Sequence, residues 1–280
     1  MQHKKETIKY NKLDNLKQFE LIRICKNHQE RFFKPHRHDF YEVIYITDGY
    51  GKHMIDFQTY ELEPNTIHLI RPSQIHQWED VFNSEYDGYI FLFSKDLLQL
   101  NKILDNLFHF HTTPIVNLNE PVKTYVDNLI SMIEYDSNNH QNRIVPFAFS
   151  IILEYIKMLR KENSTNSLQD TRIALLLELI ENNFIDEKSA LFYAKSFDLT
   201  TKRLNELTKL HLNKTTSSLI IDRNIIEAKR ELMYSDSSIV DLSQQLGFQD
   251  APQFIKYFKR YTSCTPLEFK KLTKLSNVQI

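Results

Sequence analysis

Glycine is nearly missing from this chain: there are four in 280 residues, where ordinary usage would supply about twenty. Turns that need positive φ must therefore fall to asparagine and other small polar residues. Cysteine is as scarce, with Cys25 and Cys264 far apart and outside any C-x-x-C pair. That excludes a disulfide framework and a cysteine-ligated zinc site, and it fits a reducing cytoplasm. No apolar run reaches the roughly eighteen residues of a membrane span, and residues 1–10 lack the apolar stretch of a signal peptide. A cytoplasmic protein with no membrane partner is expected. Neither sign of charge dominates, at 35 Lys+Arg against 36 Asp+Glu. The balance conceals an asymmetry, however. From Asp186 onward there are 15 Lys+Arg against 11 Asp+Glu, so the acidic excess lies wholly in the first two thirds.

What is present falls into two blocks. Residues 19–25, 42–47, 53–57, 66–71 and 87–93 are short β-branched or aromatic runs bounded by turn formers such as Asp48-Gly49 and Glu63-Pro64-Asn65. Strands at this spacing with no helices between them predict a small barrel or sandwich. Val122, Val126, Leu129, Ile130 and Ile133 then follow a 3.6-residue period, as do Ala148, Ile152, Tyr155, Ile156 and Leu159. With the polar stretch 135–142 between them they predict an antiparallel helical hairpin. Phe149 and Leu153 lie off the second stripe, and a helix apolar on more than one side needs two surfaces. They are expected at a homodimer interface, with a fully intramolecular core as the alternative. Lys161-Glu162-Asn163-Ser164-Thr165-Asn166-Ser167 has no apolar side chain and reads as a boundary. The expected domains are 1–162 and 168–280, the second opening on a helix capped by Asp170.

Beyond that boundary the chain repeats itself. Leu204, Leu207, Lys209, Asn213 and Thr215 align with Phe254, Tyr257, Lys259, Ser263 and Thr265 at an offset of fifty residues, and Ala194 aligns with Ser243 at forty-nine. A small residue on a short helix, a tight turn, then a helix with apolar residues three and four apart is a helix-turn-helix pattern. Between the two copies, residues 217–233 predict a helix of about 25 Å. A stiff spacer of that length suits recognition helices set about 34–36 Å apart along a duplex. The fold class expected is α+β: a β-barrel with a helical hairpin, then an all-α domain whose two helix-turn-helix motifs are joined by a long helix.

Asp222-Arg223-Asn224-Ile225-Ile226-Glu227-Ala228-Lys229-Arg230-Glu231-Leu232, Leu246-Gly247-Phe248, Phe254 through Lys259 and Thr265-Pro266-Leu267-Glu268-Phe269 closely resemble the AraC/XylS signature over residues 170–272. The first half, with Pro35-His36-Arg37-His38 through Glu42 and Pro72-Ser73-Gln74-Ile75-His76, resembles that family's cupin-like effector domain. The resemblance implies a cytoplasmic transcription regulator, often an activator, that binds promoter DNA as a dimer and works with RNA polymerase. No cofactor, resident metal or catalytic residue is implied. Ser243 stands where alanine is usual, and Asn213 and Ser263 stand where the pattern has glycine at a helix end.

By motif position, Lys202, Asn205 and Glu206, with Arg203 beside them, are candidate base readers on the first recognition helix. Pro252, Gln253 and Lys256 hold the matching positions on the second. Asparagine and glutamine suit adenine, lysine guanine, and glutamate cytosine. Lys209, Lys259 and Arg260 are expected on phosphates. In the first half, His36, His38 and Glu42 share parity and would face one side of a single strand, with His76 joining them. Together with Tyr45, His53, Arg71 and Trp78, and with Tyr41 nearby, they are expected to line a pocket for a small-molecule effector. H-x-H-x3-E…H is also the ligand pattern of metal-dependent cupins. A metal-dependent cupin enzyme fused to a DNA-binding module is therefore the competing reading, and a structural adaptor a third.

Overall fold

The computed structural model describes residues 9–11, 18–24, 34–79, 86–97, 107–139, 142–163 and 171–276; Cys25 and Asp170 lie outside them. The chain forms two compact units, Lys9–Ser167 and Leu168–Ile280.

The first unit holds two five-stranded sheets among its described residues. Its strands are β1 (Lys9–Asn11), β2 (Phe19–Ile24), β3 (His36–His38), β4 (Tyr41–Asp48), β5 (Gly51–Ile55), β6 (Gln58–Leu62), β7 (Thr66–Ile70), β8 (His76–Glu79), β9 (Asp87–Phe93) and β10 (Ile115–Asn117). One sheet runs β1-β3-β8-β5-β6 and the other β10-β7-β4-β9-β2. Apart from the parallel β1–β3 pair, the pairings are antiparallel. Ile44, Ile46, Ile70 and Ile90 from the second sheet pack with Ile55, Leu62 and Trp78 from the first, so the two sheets share an inner core. The alternate side chains of the second sheet, Val43, Tyr45, Ile67, Leu69, Phe91 and Phe93, point the other way, onto two helices. Being covered on both faces, β4 and β7 read as continuous apolar runs.

Those helices are α1 (Val122–Asn138) and α2 (Val145–Asn163). The first extends to Asn138, well into the stretch expected to be a connector; Asp136 ends it usefully, its carboxylate accepting from the backbone of Ile144 and Val145. Phe149 and Leu153 are not at an interface. Both are fully buried inside the chain's own core, where the Phe149 ring lies 4.9–5.4 Å from those of Phe19, Phe91 and Phe93. Helix α2 has two surfaces to bury because it packs on α1 and on the sheet at once.

Five strands carried little or no alternating apolar signal (β1, β3, β6, β8 and β10), since each is short or partly polar. Residue 57 is not in a strand at all. Asp56 and Phe57 have φ of 47° and 70°, the two-residue turn with left-handed central residues that matches the twist of a hairpin. Asn65, Asn142 and Asn213 do supply positive φ, joined by Asp56, Phe57, Ser73, Asp198 and Ser263.

The second unit is helical: α3 (Thr171–Asn183), α4 (Ala190–Ser196), α5 (Thr201–Leu212), α6 (Thr216–Tyr234), α7 (Ile239–Gln245), α8 (Ala251–Thr262) and α9 (Pro266–Ser276). The expected C-terminal tail is thus a helix. Proline suits its first position, and Thr265 and Glu268 cap each other's backbone N–H groups there. Among the described residues no helix is long and apolar enough to cross a membrane.

Candidate functional site

Each helix-turn-helix is set by local capping and one tight crossing. Ala194 on α4 and Ser243 on α7 are fully buried, and the Ser243 hydroxyl finds a partner in the carbonyl of Val240 at 2.7 Å. Thr200 caps α5 by accepting from the Arg203 backbone, and Asp250 caps α8 by accepting from Gln253. Leu204, Leu207 and Thr208 anchor α5, and Phe254 and Phe258 anchor α8. The opposite faces are exposed. On α5 they present Lys202, Arg203, Glu206 and Lys209, and on α8 Pro252, Gln253, Lys256, Lys259 and Arg260, with Ile255 as an apolar neighbour that motif reasoning passed over.

Asn205 is turned away from that face. It is half-buried, and its Oδ1 accepts from the backbone N of Thr216 at 2.9 Å, satisfying one of the orphan donors that open α6. With that bond Asn205 ties α5 to α6. Arg203 and Glu206 pair with each other at 2.8 Å on the helix surface.

The two motifs are held to the same frame. Arg223 on α6 makes a bidentate pair with Glu181 on α3 at 2.7 and 2.8 Å and also bonds Glu227 at 2.8 Å. Arg230 reaches the same Glu227 at 3.0 Å. Burial alone would raise the Glu227 carboxyl, but the two guanidiniums outweigh it and hold the group below the ordinary carboxylate range. Lys188, just before α4, donates to the carbonyls of Leu246 and Gly247 in the turn of the second motif. A Cβ on Gly247 would come within 2.3 Å of the Ile185 carbonyl, and φ there is +70°, so only glycine lets this turn dock.

In the first unit a cluster of histidines sits between the sheets. The chain changes sheet at Asp39-Phe40. His36 and His38 therefore lie on β3 in one sheet, and Glu42 on β4 in the other, not all on one strand as parity suggested. They meet across the interior: His38 Nε2 is 2.8 Å from Glu42 Oε2 and 3.2 Å from His76 Nε2, and His76 Nε2 is 3.3 Å from Glu42 Oε2. His36, Glu42 and His76 bring one ligand atom each within 4.8 Å of one another. Behind His76 runs a buried line: His76 Nδ1 to His53 Nε2 at 3.1 Å, His53 Nδ1 to His68 Nδ1 at 3.1 Å, and His68 Nε2 to Thr66 Oγ1 at 3.3 Å. His68 and Thr66 were not expected. Both face inward by simple alternation along β7, the signal that could have found them.

Burial pushes the imidazole of His68 down to about 3 and holds His53 and His76 well below their ordinary value, with neighbouring histidines adding to the effect. The line is therefore a chain of neutral rings. Trp78 packs edge-on to His53, and Arg71 places its guanidinium 5.7 Å from the Phe110 ring centroid. Tyr45 does not face the cluster. It projects from the other side of β4, buried against the helices, with its hydroxyl on Asp127 at 3.0 Å. Tyr41 shares that side, stacked on Phe93.

A double-sheet unit with a buried polar cluster, joined to a unit carrying two helix-turn-helix motifs, is the build of a transcription regulator with a sensing half and a DNA-binding half. Residues 18–145 match the model of the AraC-like ligand-binding domain, and residues 193–272 that of a helix-turn-helix domain. The HTH-type transcriptional activator RhaS of Enterobacter sp. (strain 638) is 24% identical over 245 residues, 85% of this chain and 88% of that protein. RhaS of Escherichia coli O139:H28 is 23% identical over the same shares. Among solved structures, ToxT from Vibrio cholerae aligns over 91% of this chain and 98% of its own, at a TM-score of 0.45 and 15% identity. The chain belongs to the AraC/XylS family of transcription regulators.

Proposed function

We propose that this protein is a cytoplasmic transcription activator that binds its promoter through both helix-turn-helix motifs and is governed by a small-molecule effector held in its first half. The observation that carries it is the repeated motif: two capped helices, each presenting lysines outward from a buried anchor, in one frame pinned by Arg223 and Lys188. Residues 1–162 act as a cupin-like effector domain and 168–280 as the DNA-binding domain. Lys202, Glu206, Gln253 and Lys256, with Arg203 and Pro252 beside them, face base edges, and Lys209, Lys259 and Arg260 face phosphates. His36, His38, Glu42, His53 and His76, with Arg71 and Trp78 at the margin, form the effector site. Activation implies contact with RNA polymerase. The kinship of this chain is with regulators rather than enzymes, which favours this reading over an enzyme fused to a DNA-binding module.

The protein acts as a homodimer. The helical hairpin keeps an exposed apolar stripe, with Phe147 73%, Ile151 47% and Met158 53% exposed on α2, at i, i+4 and i+11 on the side away from Phe149. Promoter binding is the direct test. Full-length protein should bind a fragment from its own promoter region with an affinity that drops about 10³-fold or more between 50 and 200 mM salt, as phosphate neutralisation requires. Binding to no such fragment, or binding indifferent to salt, would refute the reading.

A further inference from the structure

The two recognition helices do not offer a duplex the same chemistry. At the repeat's offset of fifty residues, Lys202, Arg203, Asn205 and Glu206 of α5 stand where α8 has Pro252, Gln253, Ile255 and Lys256. Asn205 is half-buried, with its Oδ1 taking the backbone N–H of Thr216. The residue matching Thr216 is Pro266, which has no N–H to give, so position 255 has no such bond to make. It is filled by isoleucine, 36% exposed. Pro252, in the first turn of α8, is exposed as well, and at three positions apart the two are neighbours on the helix surface. Between them, Gln253 is turned back toward its own loop. Its Oε1 accepts from the backbone N–H of Gln249 at 3.0 Å, while its backbone N–H donates to the Asp250 carboxylate at 2.8 Å. A backbone N–H only donates, so the amide oxygen must be the atom that faces it. The side chain therefore leads with Nε2 and its two protons, not with the oxygen–nitrogen pair that reads adenine in two bonds.

A recognition helix meets base edges in the major groove with its N-terminal residues, and the apolar group that those edges carry is the thymine 5-methyl. We infer that the second motif reads thymine: the 5-methyl packs against Pro252 and Ile255, and Gln253 Nε2 donates to a neighbouring acceptor, thymine O4 or purine N7. Lys256 and Lys259, four positions on from Pro252 and Ile255 respectively, are exposed beside the apolar pair and supply charge without covering it. Apolar side chains scattered singly over a surface are ordinary. These two are adjacent, lie in the N-terminal half of a recognition helix, and have no counterpart among Lys202, Arg203 and Glu206 on the first. The first motif should therefore be blind to the methyl. The inference rests on the DNA-binding reading and adds to it the base identity of one half-site.

The test begins with full-length protein selecting duplexes from a randomised pool, which gives both half-sites. Thymines in one half-site at a time are then replaced by deoxyuridine, which keeps every hydrogen-bonding group and lacks only the methyl. One half-site should lose about fourfold in affinity for each contacted methyl, the worth of one buried carbon of that size, and the other should lose nothing. Pro252→Ala with Ile255→Ala should weaken binding to the thymine duplex and leave the deoxyuridine duplex as it was, so the penalty disappears. Ile255→Val should keep it. Residues that only support the helix would weaken both duplexes alike. Gln253→Glu retains an oxygen for the Gln249 N–H but cannot donate, and should shift preference at one base pair toward cytosine, whose N4 donates. Alanine suits both helix positions, and melting curves check the fold; should the double variant unfold, Ile255→Ala alone is read in the same way. Selected half-sites without thymine overturn the inference. So does a deoxyuridine penalty that is absent, is shared equally by both half-sites or survives the double variant, and so does an unchanged preference in Gln253→Glu. Each of these leaves the regulator reading standing, whereas protein that selects no duplex at all overturns both.

Discussion

Ser263 shows how a single residue departs from its family pattern at a cost. It ends the second recognition helix with φ of 65° while its N–H bonds the Lys259 carbonyl, a left-handed cap where glycine is free of the Cβ penalty. Asn213 holds the equivalent cap at φ 53° with less strain, since asparagine visits this region more readily. Ser263→Gly should therefore stabilise the protein by about 1 kcal/mol, seen as a higher melting temperature with promoter affinity unchanged; a lower one would mean the serine is not strained. Asn205 carries the opposite lesson. Asn205→Ala removes the acceptor from Thr216 N–H and should cost about 1 kcal/mol of stability, while preference among base pairs stays as it was. A variant of full stability and relaxed sequence preference would restore Asn205 as a reader.

At the scale of elements, the hairpin and the long helix each carry a prediction. Phe147 and Ile151 lie on the solvent side of α2 and Phe149 on the core side. Phe147→Glu with Ile151→Glu should give folded monomers by sedimentation at micromolar concentration, where the unmodified protein sediments as a dimer; a dimer that survives both changes would place the interface elsewhere. On α6, Glu227 serves two buried guanidiniums at once. Glu227→Gln takes a charged partner from Arg223, which keeps Glu181, and from Arg230, and should cost about 3 kcal/mol at neutral pH. Because the Glu227 carboxyl is held below its ordinary range, its contribution is fully present above that range and is lost as pH falls through the depressed folded value. The gap between wild type and variant should thus close on the acid side, and a gap that widens in acid would contradict the assignment.

At the scale of the whole molecule, readability followed the range of the interactions. Both helix-turn-helix motifs, the long helix between them and the principal strands were legible because caps, small crossing residues and apolar periods act within a few positions of the chain. Short strands such as β3 and β8 were not, since their pairing partners, not their own residues, make them strands. The histidines of the H-x-H pattern were visible, yet the reason they meet Glu42 was not: the chain changes sheet between them, and parity along one strand gave the right company for the wrong cause. Tyr45 and Phe149 were misplaced for a related reason. Alternation says that neighbouring side chains face opposite ways, but not which side holds the cluster and which the helices. The sequence by itself determined the family, the two blocks of structure and the outward faces of the recognition helices, all local properties of the chain. Only the tertiary structure decided that Asn205 bonds the start of α6, that α2 buries Phe149 and shows Phe147, and that imidazoles of one sheet meet the Glu42 carboxylate of the other. Each of these depends on what a distant segment brings to the other side.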